Sequence, residues 1–113
     1  MPPDLSKHIQ KVLDIGTVHI PESDNGLLHD HVGDDEDFPV AILEYRFGYL
    51  ISAWHHGEAR EPEEIEEFEK NFLEVGFSKH LLALIKLAGE AGCNWLQLDR
   101  DGETVTGLPV FEW

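Results

Sequence analysis

The sequence predicts a single α+β domain: a mainly antiparallel sheet of about five strands with two to three helices packed on it. Three observations lead there. The runs VAILEYR and YLISAWH are strand-like and joined by a tight turn at Phe47 and Gly48. Apolar residues recur at helical spacing at Ile65, Phe68, Phe72 and Leu73, and again at Leu81, Leu82, Leu84, Ile85 and Ala88. With 113 residues, 42% of them hydrophobic, the chain can fill one core and is too short for two.

Taken in order, residues 1–8 read as a tail, because Pro2 and Pro3 remove backbone donors, and the domain proper spans 9–113. A strand is expected near Val12 to Val18. Pro21, followed by Glu22 and Asp24, suits the start of a short helix over PESDNGLLHD, although Gly26 weakens its middle. Asp34, Asp35, Glu36 and Asp37 repel one another and offer nothing to pack, so His31 to Phe38 reads as a loop.

In the central hairpin, pairing Arg46 with Tyr49 would put Leu43, Tyr45, Leu50 and Trp54 on one face and Val40, Ile42, Ile51 and Ala53 on the other. Both sets are largely apolar, which places these strands centrally, with helices over at least one face. An acidic amphipathic helix follows at about 62–75, opened by Pro62 and closed by Gly76, with Glu66 and Lys70 spaced to pair. Ser78 reads as the N-cap of the main helix, stapled by Phe77 onto Leu82, and Gly92 ends that helix. Trp95, Leu96 and Leu98 form the next strand. Asp101-Gly102 reads as a hairpin turn, and LPVFEW forms a last strand that Pro109 confines to an edge.

Charge narrows the function. The chain has 23 Asp and Glu against 8 Lys and Arg, a formal net charge of −15. Such a surface disfavours direct nucleic-acid binding and docking on an anionic membrane, and favours partners with basic surfaces. No apolar run approaches the roughly 18 to 20 residues of a membrane-spanning helix. Lone Cys93 cannot form an internal disulfide and MPPDLSKHIQ lacks a secretory apolar stretch, so a cytoplasmic setting is expected.

The sequence carries no GxSxG, phosphate-binding loop or dinucleotide fingerprint, and it points to no cofactor. Cys93 follows a helix C-terminus, whose negative end disfavours a thiolate. Seven histidines raise a metal reading, with His29, His31, Asp34 and His55 or His56 as candidate ligands. Their spacing matches neither HExxH nor structural zinc, and adjacent His55 and His56 on a strand would face opposite ways. Asp99 to Glu103 lacks the further ligands of a calcium loop. The stronger candidate surface is Glu58, Glu61, Glu63, Glu64, Glu66, Glu67 and Glu69, which gather on and beside the outer face of the acidic helix.

Three stretches, VLDIGTVHIPES, FPVAILEYRFGYLISA and AGCNWLQLDRDGETVTGLPVFEW, give a chain that resembles a family of short uncharacterised bacterial proteins found on plasmids and integrative elements. The resemblance implies a compact α+β fold and a mobile-element setting, and brings no catalytic residues. Glu58 to Glu74 lies outside it and reads as an elaboration. The expectation is a non-enzymatic binding protein that captures a basic partner, a nucleic-acid-binding protein for example, by imitating nucleic-acid phosphates. The alternatives are the metal-binding domain or metal-dependent enzyme just described, and a structural accessory subunit marked by an apolar interface.

Overall fold

The computed structural model describes residues 2–33, 38–53 and 61–113. Four strands, β1 (Val12–Gly16), β2 (Ile42–Tyr45), β3 (Gly48–Ser52) and β4 (Trp95–Asp99), form one sheet in the order β1-β4-β3-β2. Three helices, α1 (Glu22–Asp30), α2 (Pro62–Val75) and α3 (Lys79–Glu90), complete the α+β domain among the described residues. None is long and apolar enough to cross a membrane.

The sheet is mixed. β4 pairs with β3 antiparallel and with β1 parallel, Ile15 lying opposite Leu98 and Leu13 opposite Leu96. The expected fifth strand is absent among the described residues, and the parallel β1–β4 pairing makes the sheet mixed where a mainly antiparallel one was expected, its other two pairings being antiparallel. Both edges of β4 are already occupied, so the chain after Asp99 cannot form a hairpin with β4. Residues 103–113 instead run beside 16–20. Gly16 N–H donates to the Glu103 carbonyl (3.1 Å), Phe111 N–H to Val18 (2.7 Å), and the Trp113 indole to Ile20 (2.9 Å). Thr17–His19 is a single 3-10 turn, while Gly107 has φ +96° and Pro109 has no N–H, so regular pairing is impossible there.

The predicted strand over 12–18 is shortened by that same turn. In the hairpin, Tyr45 pairs with Gly48, so Arg46 and Phe47 form the turn in place of Phe47 and Gly48. The register thus differs from the expected one by two residues, an even slip that leaves the described strand side chains on their predicted faces, Trp54 lying outside the described residues. Gly48 is sterically required in this position. A Cβ there would lie 1.8 Å from the Leu98 carbonyl oxygen.

One face of the sheet is covered and one is open. Ile42, Tyr49, Ile51, Leu96, Leu98 and Ile15 are buried with Leu28 of α1, Phe68 and Phe72 of α2, and Leu81, Leu84, Ile85 and Ala88 of α3. α3 lies over β4, and α2 packs on α3. Phe72 is fully buried and stacks on Phe77 with ring centroids 4.5 Å apart. Burial of a ring this size supplies about 3 kcal/mol or more, as large-to-small substitutions at such sites indicate. On the open face, Tyr45 donates to Asp99 Oδ2 (2.6 Å) and accepts from Gln97 (3.0 Å), so the exposed strand surface carries its own hydrogen-bond row.

Two buried polar residues fix the outer elements. Asp24, wholly buried in the first turn of α1, accepts from Ser78 N–H (2.8 Å) and from the Ser78 hydroxyl (2.5 Å). Ser78 in turn caps α3 by accepting from Leu81 N–H (3.3 Å), as its sequence position predicted. His19 is 1% exposed. Its Nδ1–H donates to the Pro109 carbonyl (2.7 Å) while Nε2 accepts from Val105 N–H (2.9 Å), which pins the C-terminal segment to the 3-10 turn.

Candidate functional site

The acidic surface is built by α2. Pro62 occupies the first turn, where its missing N–H leaves no intrahelical bond unmade, and Glu63 and Glu64 meet the positive helix end. Gly76 at φ +116° terminates the helix in the left-handed conformation. Phe68 and Phe72 turn inward and Ile65 is half-buried. Exposed at the N-cap and along the helix are Glu61, Glu63, Glu64, Glu66 and Glu67, while Glu69 is half-buried.

Glu63, Glu66, Glu67 and Lys70 line one shallow depression on this helix. The helix holds this charge against its own electrostatics. Glu63 and Glu67 are like charges one turn apart, and Glu74 sits near the negative C-terminal end, where no basic residue compensates it. Each such juxtaposition costs a few tenths of a kcal/mol, an amount the buried Phe68 and Phe72 easily offset. Glu58 lies outside the described residues.

The histidines do not converge. His29 Nδ1–H donates to Glu44 Oε2 at 3.0 Å, whereas His31, two positions later, stacks on Phe38 with centroids 4.4 Å apart. Residues two apart at a helix end face different ways. Asp34, His55 and His56 lie outside the described residues. Among the described residues, no group of three or more His, Cys, Asp or Glu side chains is placed to hold a metal. Cys93 is half-buried and packs against the core.

A second site escaped the sequence reading. At the end of the sheet, a cavity of about 270 Å³ is lined by Thr17, Asn25, His29, Glu44, Tyr45, Arg46, Gly48, Tyr49 and Arg100. The Arg46-Phe47 turn is held against the end of β4 by Arg100, whose N–H donates to the Phe47 carbonyl (2.8 Å) and whose Nη2 donates to the Arg46 carbonyl (3.2 Å). Two arginines 54 positions apart are thereby brought to one rim. The only sequence signal was that each stands at the end of a predicted strand.

Electrostatics differ on the two sides of this sheet end. Desolvation and the hydrogen bond to Asp99 push the Tyr45 hydroxyl up to about 12. The Tyr45 hydroxyl and the Asp101 N–H hold the Asp99 carboxyl below its usual range. Tyr49 is also raised, by burial first and then by Glu44 and Asp30.

Residues 12–113 match the C-terminal domain of a family of unknown function, DUF5983. The chain belongs to that family. No curated protein and no solved structure shows a significant match to it. The span matched to DUF5983 runs through α2, so the acidic helix lies inside the matched domain and not outside the likeness as expected from the three stretches above. The family description assigns no activity, ligand or partner.

Proposed function

We propose that this DUF5983 domain is a non-enzymatic binding protein that captures a basic partner on the exposed acidic side of α2. The observation that supports this reading is the row of exposed carboxylates at Glu61, Glu63, Glu64, Glu66 and Glu67, kept on one helix despite like-charge neighbours. Spaced along a rigid helix, such carboxylates offer a Lys- or Arg-rich surface a line of acceptors comparable to nucleic-acid phosphates. A nucleic-acid-binding protein is therefore the favoured partner class, and interference with such a protein on behalf of a mobile element the favoured role.

Location separates this reading from mere acidity. Charge reversal of Glu63, Glu64, Glu66 and Glu67 to Lys is compared with reversal of the exposed Glu22, Glu90, Glu103 and Glu112, which alters net charge equally. Loss of partner capture in the first variant alone supports α2 as the binding surface. Equal loss in both, or in neither, refutes it.

A second reading, a structural accessory subunit, draws on the open face of the sheet. Val12 and Leu43 are 44% and 49% exposed there, with Leu50 and Trp95 half-buried between them. They are interspersed with Asp14, Gln97 and Asp99, which makes the face less apolar than the core of an obligate interface. A partner retained at high salt and released by Leu43→Asp would favour this reading over the first.

A further inference from the structure

We propose that the pocket at the end of the sheet binds a phosphate group, free or carried on a small monoester, between Arg46 and Arg100. This goes beyond the capture of a basic partner and uses a different part of the molecule. The first observation is a surplus of positive charge where the chain is poorest in it. The chain has only 8 basic side chains against 23 acidic ones, yet both arginines among the described residues line this one cavity. No carboxylate among the described residues lies within ion-pair distance of either guanidinium. Arg100 commits Nη2 to the Arg46 carbonyl (3.2 Å), and Arg46 rests over the Phe47 ring at 5.3 Å, so most of their N–H donors are unspent.

The second observation is independent of charge. Tyr49 and Thr17 line the same cavity at 8% and 7% exposure, and neither hydroxyl has a hydrogen-bond partner among the described residues. Polar groups on side chains this buried are nearly always hydrogen-bonded, so two without a partner among the described residues at one cavity leave their hydroxyls for whatever enters it. Burial and the neighbouring carboxylates keep the Tyr49 phenol protonated, hence available as a donor. Asn25 adds an amide to the lining.

Two guanidiniums, two hydroxyls and an amide suit a ligand with several acceptor oxygens and more than one negative charge. Phosphate has both, and guanidinium N–H groups match its edges in pairs. The negative groups nearby are Asp30, Glu44, whose carboxylate is taken up by His29, and Asp99, whose carboxylate accepts from Tyr45 and feels the Arg100 charge. A volume of about 270 Å³ is enough for phosphate with a short substituent.

The test is a calorimetric titration of the whole chain with inorganic phosphate, glycerol phosphate and acetate at about 0.15 M ionic strength, where the field of remote carboxylates is screened. Wild type should bind phosphate, Arg46→Ala should bind it at least about tenfold more weakly, and Tyr49→Phe roughly threefold to tenfold more weakly. Tyr49→Phe leaves the core shape intact, so its thermal stability should match wild type and separate lost binding from lost folding. Tighter binding of glycerol phosphate assigns the monoester, and equal or weaker binding assigns free phosphate. No binding of either phosphate by about 10 mM, affinity unchanged in both variants, or acetate bound as tightly as phosphate overturns the proposal.

Discussion

Replacing Asp24 with Ala removes the connection between α1 and the start of α3. In the wild type its buried carboxylate takes both donors of Ser78, the N–H at 2.8 Å and the hydroxyl at 2.5 Å. Hydrogen bonds to a charged acceptor contribute about 1.5 to 3 kcal/mol each. Relief of carboxylate burial offsets part of that sum, and the Ser78 hydroxyl can find another acceptor, so the expected loss is about 3 kcal/mol. In a domain of this size that lowers Tm by roughly 12 °C. Asp24→Asn keeps an acceptor for the Ser78 N–H and should lose only about 1 to 2 kcal/mol. Urea unfolding read by circular dichroism gives both values, with the denaturant slope unchanged. If Asp24→Ala lies within about 0.5 kcal/mol of wild type, the buried carboxylate does not join the helices energetically and the reasoning fails.

Other expected outcomes follow from the same geometry. Gly48→Ala forces a methyl into the Leu98 carbonyl and should cost more than about 3 kcal/mol in a denaturant titration, whereas Phe47→Ala, at an exposed neighbouring position, should cost about 1 kcal/mol. His19→Ala frees residues 103–113, so the amides of Val105 and Phe111 should exchange with solvent much faster while those of β4 stay protected; equal protection throughout would contradict the pinning role. Tyr45 is neutral in the fold up to about pH 12 and ionises near pH 10 when unfolded, so its contribution is complete below pH 10 and is lost as pH rises toward 12. Tyr45→Phe should remove that alkaline loss. It should also return the Asp99 carboxyl toward its ordinary range, which a carbon-detected NMR titration would read.

Local signals in the sequence were strong wherever a single element decides its own limits. Pro62, Gly76 and Ser78 bound their helices through chemistry that acts within one turn, and the two faces of the hairpin follow from strict alternation. The sheet order was not legible in the same way. β1 meets β4 across more than 80 residues, and no turn residue announces a parallel pairing of that span. That pairing occupies the edge of β4 that the Asp101-Gly102 hairpin would have needed. Gly102 serves another purpose. A Cβ there would lie 2.7 Å from the backbone of Ile15 and Gly16, so this glycine permits close approach to β1.

The candidate surfaces divide along the same line. The acidic side of α2 was readable because helical spacing alone separates Phe68 and Phe72 from the glutamates. The sheet-end pocket was not, because Thr17, the Arg46 to Tyr49 hairpin and Arg100 come from three separate places and meet only once the β2–β3 turn docks on the end of β4. The histidine reading weakened for a related reason. His29 and His31 were candidate ligands through their number and nearness alone, with a spacing that matched no metal motif, and the end of α1 sends one to Glu44 and the other to Phe38.

Electrostatic capture by α2 is the central claim, and a salt series tests it most directly. Wild type and the variant with Glu63, Glu64, Glu66 and Glu67 changed to Lys are immobilised side by side, exposed to the same host extract, and eluted with rising salt. The expected result is a basic protein held by wild type, released steeply as the salt rises, and absent from the variant even at the lowest salt. The same protein held by both, or held by wild type with no dependence on salt, would contradict the claim.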